Sequence, residues 1–368
     1  MTDVVIVGGG VIGLTAAYEL ARRGMSVCVL EKNRVGQEAS WAGAGMLPPG
    51  QIHGPQEIRE LVRLSASLWP KLSEELLSET GLDNGYRNSG SLQISLDDEQ
   101  ELLSQKALWE KENVPVEELK GSDLFEYAPG LSDRLTWGFA LPTMSQVRNP
   151  RHVKALQAAC LSTGVTIREN CSVDQIEAIG ERIVAVRAEE DVFSADRFVI
   201  TTGAWTTQLL ESVSVNFEVE PVRGQIVLLK TDPGTIAHIV EDRRRYIVPR
   251  DDGHVLIGST MEDVGYVKQT TPEGVASLME FANSLFPELA QAKFVQSWAG
   301  LRPRAVRGIP AIGSIDTFEN LFVAAGHFRD GLCQSTATAV LISDLIEGVQ
   351  PPISVELFRP PVAIPPQL

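Results

Sequence analysis

A glycine cluster set between an apolar strand and a helix constrains this chain of 368 residues more than any other feature. Residues 4–7 form a short, apolar, β-branched run, the pattern of a strand buried on both faces. Gly8-Gly9-Gly10-Val11-Ile12-Gly13 follows at once, and residues 14–23 carry Leu14, Ala17, Tyr18 and Ala21 at helical spacing. Gly24 falls at the position of a helix C-terminal cap, and residues 26–30 read as a second buried strand ending at Glu31. In this β-α-β unit Gly8 permits the tight turn, Gly10 lets the backbone approach a pyrophosphate, and Gly13 lets helix and strand pack closely. The helix N-terminus offers free N–H groups and the positive end of its dipole to phosphate. Glu31 stands near the usual place of an acid that bonds ribose hydroxyls. The unit predicts dinucleotide binding. It opens the chain and has no second copy, which favours FAD reduced by the substrate itself over electron transfer from NAD(P)H.

Further along, residues 36–50 are rich in glycine and alanine and read as a loop against a ligand. Helices are expected at 61–80, at 97–112 with a charged, solvent-facing surface, at 151–163, at 273–285 and at 331–348. Strands are expected at 165–168, 182–188, 192–193, 197–202, 225–230, 246–249, 255–259 and 321–325, with Asp251-Asp252-Gly253 as a hairpin turn. A Pro-rich tail ends the chain. Alternating α/β segments at both ends around a strand-rich middle predict an α/β protein of two interleaved domains. One is a Rossmann-like FAD-binding domain over 1–80, 145–215 and 296–368. The other is a substrate domain of antiparallel sheet plus helices (α+β) over 81–144 and 216–295.

The formal net charge is −16, which argues against nucleic acid and anionic membrane as partners. Cys28, Cys160, Cys171 and Cys333 form no CxxC pair, and no His/Cys spacing suits a metal. A reduced, cytoplasmic setting is expected. The N-terminus lacks a basic n-region and a small-residue cleavage site, and no run is long and apolar enough to span a bilayer.

Several segments then point one way: Val5-Ile6-Val7-Gly8-Gly9-Gly10-Val11-Ile12-Gly13, Ala39-Ser40-Trp41-Ala42-Gly43-Ala44-Gly45-Met46-Leu47, Thr202-Gly203-Ala204-Trp205, Tyr246-Ile247-Val248-Pro249-Arg250, Trp298-Ala299-Gly300-Leu301-Arg302-Pro303 and Ala325-Gly326-His327-Phe328-Arg329-Asp330-Gly331. Together they resemble the glycine oxidase branch of the D-amino acid oxidase-like flavoproteins, the branch tied to thiamine thiazole synthesis, over essentially the whole chain. The resemblance implies that Arg302 holds the substrate carboxylate, Tyr246 assists it through its hydroxyl, the main-chain carbonyl of Arg329 accepts the substrate amine, and Met261 lines the pocket. It implies flavin contacts from Val11, Ile12, Glu31, Lys32, Ala39, Ser40, Ala44, Gly45, Met46 and Val173, and from His327, Phe328, Arg329, Asp330, Gly331, Leu332 and Cys333. It further implies non-covalent FAD, a small amino acid or amine as substrate, molecular oxygen as acceptor with hydrogen peroxide as product, and a homotetramer. Oxidising an amino acid needs a neutral amine and a held carboxylate, so most of the catalysis is positioning, and no side-chain base is required.

Three departures touch substrate preference. Leu332-Cys333-Gln334-Ser335-Thr336 replaces an aliphatic-aliphatic-Ala-Pro run, Pro48-Pro49 follows Met46-Leu47 near the pocket entrance, and Arg304 follows Pro303 where glycine is common. Other readings compete. Arg302 can be paired with one of the many carboxylates, Tyr246 and Met261 can be packing, and His327 is more naturally structural than catalytic. Cys333 reads as a buried free thiol rather than a flavin attachment, and Arg243-Arg244-Arg245 as a solvated face or an oligomer contact. Sarcosine oxidase, D-amino acid oxidase or dehydrogenase activity on the same fold, and a flavin-binding protein without redox function, are the rival functions.

Overall fold

The computed structural model describes residues 2–360; the end of the Pro-rich tail lies outside the described residues. Two large sheets organise the molecule. The first has six strands, in spatial order Ala311–Ser314, Leu321–Ala325, Ala195–Ile200, Thr2–Val7, Val27–Leu30 and Thr166–Arg168. Its pairings are parallel except that of the edge strand Ala311–Ser314. The second has eight strands, in the order Lys293–Ala305, Val219–Lys230, His254–Gly258, Arg245–Pro249, Ile239–Asp242, Ser91–Ile94, Trp137–Leu141 and Glu117–Lys120. Here all pairings are antiparallel except that of Ile239–Asp242 with Ser91–Ile94. The chain passes from one sheet to the other and back twice, so this is an α/β fold with a Rossmann-like half interleaved with an antiparallel-sheet half.

The longer helices are α1 (Val11–Arg22), α2 (Gln56–Thr80), α3 (Glu99–Lys111), α4 (Asn149–Ser162), α5 (Pro272–Leu285) and α6 (Gly331–Glu347). Strict alternation explains the apolar runs in the first sheet. Val4, Ile6, Val27 and Val29 face a core shared with α1, α2, α4 and α6. Val5, Val7, Cys28 and Leu30 face the opposite core, next to the meander of Gln175–Ile179, Arg182–Ala188 and Asp191–Phe193. Both faces are covered, so alternation of polarity is absent from these strands. The second sheet turns Leu92, Val227, Val240, Ile247 and Ile257 toward α5. Its other face carries Phe139, Ile226, Ile239, Tyr246 and Leu256.

Several elements differ from the sequence expectation. Helix α1 begins at Val11 rather than residue 14, because the glycine turn leads straight into the helix. Helix α2 begins at Gln56, after Pro55. The loop at 36–50 holds a short helix, Ala39–Ala42, and a short strand, Met46–Leu47. Helix α3 is less solvated than its charge suggests, since Leu102 and Trp109 are buried. The strands Ser91–Ile94, Trp137–Leu141, Ile239–Asp242 and Lys293–Ala305 are additions, found through their partners in the eight-stranded sheet.

Two outcomes are expected. A Cβ at Gly13 would come 2.0 Å from the Gly8 carbonyl oxygen and 2.6 Å from Thr201 Oγ1, and the Gly8 backbone leaves no slack. Gly13→Ala is expected to cost about 2–3 kcal/mol or more, read as a lower urea midpoint. His152 is fully buried against Trp69, with ring centroids 4.8 Å apart, and burial pushes its pKa down to about 3 from an ordinary 6.5. Its folded pKa is depressed, so the unfolded chain binds the proton more readily. The stability this contributes is present above about pH 6.5 and is lost as pH falls toward 3. The urea midpoint is expected to fall across that window, less steeply in His152→Gln.

Candidate active site

One cavity of about 760 Å³ runs between the two sheets. Its first half is built by the glycine turn. The strand Thr2–Val7 stops at Gly8, whose φ is +112°, and Thr201 Oγ1 donates to the Gly8 carbonyl at 2.8 Å. Gly10 stays open toward the cavity, where the nearest atom to an added Cβ is Ser40 Oγ at 3.2 Å. The α1 N-terminus follows with no capping side chain on Gly10, and Ser40 Oγ accepts from Val11 N at 2.9 Å. The second half-turn of the wall is the N-terminus of α6, whose N-cap Asp330 makes no capping bond. Two helix N-termini thus direct partial positive charge and backbone donors into one space, which suits a large anionic ligand.

Glu31 lines the cavity, and its carboxylate accepts from Gly9 N at 2.8 Å and Asn33 N at 2.9 Å. Lys32 Nζ lies 3.0 Å from the centre of the Trp205 ring. Ala39, Ser40, Ala44, Gly45, Met46 and Val173 line the same space. The loop carrying Ala44 is pinned by Arg250, which is buried and donates to the carbonyls of Ala44 (2.7 Å) and Val147 (2.9 Å) and to Gln146 Oε1. Burial and neighbouring arginines lower the Arg250 pKa to about 9.

The eight-stranded sheet supplies the other half. Arg302 stands on Lys293–Ala305 and folds across the neighbouring strand. A Cβ at Gly224 would lie 2.1 Å from its guanidinium nitrogens. A Cβ at Gly258 would lie 2.4 Å from the Tyr246 ring. Glycine at these two positions lets both side chains lie flat on the sheet and project into the cavity. Arg302 Nη1 donates to the Thr260 carbonyl at 3.1 Å, and Nη2 donates to Ser259 Oγ at 2.7 Å. Burial lowers its pKa, while interaction with Tyr246 opposes that shift. Among the described residues Arg302 forms no ion pair. A desolvated guanidinium without a carboxylate, beside a phenol, is built to receive one.

Family comparison agrees with this geometry. The family model for FAD dependent oxidoreductases matches residues 3–345. The chain belongs to that family. It is 37% identical to glycine oxidase of Pseudomonas putida over 361 residues, 97% of this chain and 98% of that protein. It is 33% identical over 349 residues to the bifunctional protein ThiO/ThiG of Trichormus variabilis, spanning 94% of this chain and 52% of that one. Among solved structures, glycine oxidase from Geobacillus kaustophilus superposes with a TM-score of 0.94 at 32% identity, over 98% of this chain and 99% of that chain. The protein is an FAD-dependent amine or amino acid oxidase. The two helix N-termini and the open face of Gly10 fit that cofactor, which supplies the hydride acceptor when bound.

Most residues singled out in the sequence of this flavoprotein meet at the cavity: Gly8, Gly10, Val11, Ile12, Tyr246, Arg302 and the run from His327 to Cys333 all line it. Gly13 lies behind, in the strand–helix contact. Met261 is not brought to the cavity. It is 42% exposed, with Sδ 4.0 Å from Arg244 Nη1, because Thr260 turns its carbonyl toward Arg302 and the next side chain points away. The Arg329 side chain is exposed, 3.5 Å from the Arg244 carbonyl, while its backbone stays at the cavity wall.

His327 is buried, bonded to Thr338 Oγ1 at 3.1 Å, and pushed down to about 3 by burial, hence neutral. Cys333 is a free, buried thiol with its pKa raised by desolvation. The polar run after Gly331 is accommodated by α2: Ser65 bonds Thr336 and the Cys333 carbonyl, and Trp69 Nε1 donates to that carbonyl at 3.1 Å. Arg304 is turned outward to Glu220 and Asp263. The triple arginine is not simply a solvated face. Arg243 pairs with Asp98 and Glu101, and Arg245 pairs with Asp242 and lies over Phe281.

Glu241, Gln93, Ser259 and Trp205 also line the cavity, and the sequence reading gave none of them a role in the site. Glu241 sits opposite Tyr246 in a hairpin. Its turn, Arg243-Arg244, carries φ +56° on an arginine and lacks the glycine or asparagine that marks such turns.

Arg302→Leu is expected to weaken acetate binding to the flavoprotein by about 2 kcal/mol, roughly 30-fold, measured by flavin difference titration. Arg302→Lys is expected to restore only part of the loss, since a point charge does not reproduce the fork.

Proposed function

We propose that this protein oxidises glycine or a comparably small amino acid: glycine + O2 + H2O gives glyoxylate + NH3 + H2O2. The observation that carries this reading is Arg302, half-buried, without an ion pair among the described residues and lying on Gly224 beside Tyr246. In this reading Arg302 and Tyr246 hold the substrate carboxylate, and the main-chain carbonyl of Arg329 accepts from the amine. These contacts fix Cα for loss of its hydride as the amine becomes an imine, which water then hydrolyses. Positioning supplies most of the rate enhancement. The similarity to glycine oxidases supports glycine as substrate and oxygen as acceptor. The similarity to a ThiO/ThiG protein supports delivery of the imine to thiamine thiazole synthesis. A cytoplasmic homotetramer with two interleaved domains per chain belongs to the same reading.

The deciding experiment is anaerobic bleaching of the flavin band by glycine, sarcosine, D-alanine, D-proline and L-alanine, followed by peroxide release in air. Fastest bleaching by glycine and sarcosine, with stoichiometric peroxide, is expected. Preference for a bulky D-amino acid rejects glycine but keeps amine oxidation. Bleaching without peroxide rejects oxygen as acceptor, and no bleaching by any amine rejects the oxidase reading.

A further inference from the structure

The cavity holds a second charged anchor opposite in sign to Arg302. Gln93, Glu241, Tyr246 and Gly258 stand in register across four adjacent strands, so all four share one sheet face. Gln93, Glu241 and Tyr246 reach the cavity. The Tyr246 ring lies over Gly258, on the strand away from Glu241.

Among the cavity residues contributed by this sheet, Glu241 is the one acid. One of its oxygens, Oε1, accepts from Gln93 Nε2 at 2.6 Å, and that amide also donates to Ser91 Oγ at 3.1 Å. Among the described residues the other oxygen has no hydrogen-bond partner, and Glu241 forms no salt bridge. Its neighbours on this face are the apolar Phe139, Ile239 and Val248 beside Gln93 and Tyr246, and the Arg329 guanidinium, whose charge partly offsets the desolvation of Glu241, forms no ion pair with it among the described residues. A carboxylate desolvated in such surroundings is costly unless a donor reaches it. Gln93 fixes its direction but leaves one oxygen open to the cavity.

An ionised carboxylate only accepts, and its strongest partners are cationic N–H groups. Neighbouring strands lie about 4.8 Å apart and Gly224, beneath the Arg302 guanidinium, is two residues along its strand from Ile226, the position in register with Glu241, so Gly224 and Glu241 are roughly 16 Å apart at the backbone. Both side chains shorten that gap by reaching into the cavity. Glycine, held by its carboxylate at Arg302, is too short to span it. An amino acid with a second ammonium group several bonds from its carboxylate spans it.

We propose that Glu241, oriented by Gln93, is a specificity-determining residue that selects substrates carrying a second positively charged amino group, such as basic amino acids or N-(aminoalkyl)glycines. This rests on the reading that Arg302 and Tyr246 hold the substrate carboxylate. Small neutral substrates then occupy only the Arg302 end, and a cationic extension engages both anchors.

Two isostere pairs test it on the FAD-loaded protein. The first needs no turnover: 5-aminopentanoate against hexanoate, with Kd from flavin difference spectra. The second uses turnover: D-ornithine against D-norleucine, with kcat/KM from anaerobic flavin reduction. In each pair the wild type is expected to favour the ammonium compound by about tenfold or more, and Glu241→Gln to bring the ratio close to one. The ratio is the readout because any general loss of activity cancels. Should Glu241→Gln not fold, Gln93→Leu, which removes the orienting amide, is expected to reduce the ratio severalfold. A wild type that binds hexanoate as tightly as 5-aminopentanoate overturns the proposal. So does a ratio unchanged in Glu241→Gln, as does an equal loss for both members of a pair. If no amine reduces the flavin while the 5-aminopentanoate preference holds and depends on Glu241, the oxidase reading fails and this one stands.

Discussion

Removing the Arg302 guanidinium from water is costly unless its N–H groups find acceptors, and the substrate half of the molecule is arranged around that cost. Thr260 offers a carbonyl and Ser259 a hydroxyl, which satisfy part of the fork and leave the rest facing the cavity. The Arg302 side chain can lie there only because position 224 lacks a Cβ, and the Tyr246 ring lies beside it because position 258 does. The glycine floor, the flat phenol of Tyr246 and the half-buried cation are one device. It lays a cation and a phenol flat on the pleated face of an ordinary antiparallel sheet, turned toward the cavity.

The flavin half solves the opposite problem with backbone. Two helix N-termini open into the same cavity, and neither carries a capping side chain at its first residue. Apart from Val11 N, which donates to Ser40 Oγ, the dipoles and first-turn donors of these ends face the cavity. Arg250 joins the halves. It projects from the end of a substrate-sheet strand and donates to the Ala44 and Val147 carbonyls of the cofactor side. A cation held by carbonyls alone ties two segments far apart in sequence without bringing a competing carboxylate near Arg302.

Legibility from sequence followed range. The β-α-β unit was readable because its strand, glycine turn and helix are contiguous and each residue type has one job. The pair Arg302 and Tyr246 was legible through motif context. Glu241 was not, because its hairpin turns on two arginines with no turn-forming residue, so the register that sets it opposite Tyr246 left no local trace. The strands Ser91–Ile94 and Trp137–Leu141 were invisible for a related reason: each is short, and its partners lie elsewhere in the chain. Met261 was drawn toward the pocket by resemblance, but the backbone at Thr260 sends its side chain outward.

By itself the sequence determined that this chain binds a dinucleotide at its first glycine turn and that a flavin oxidoreductase fold encloses it. Those properties depend on contiguous residues whose backbone conformations and apolar spacing are local. The tertiary structure decided which charges face the cavity. Among the described residues Arg302 forms no ion pair and one Glu241 oxygen has no hydrogen-bond partner, and both facts are defined by what surrounds them in space. Pairing and desolvation of charge arise from strands brought side by side, and no stretch of sequence encodes them alone.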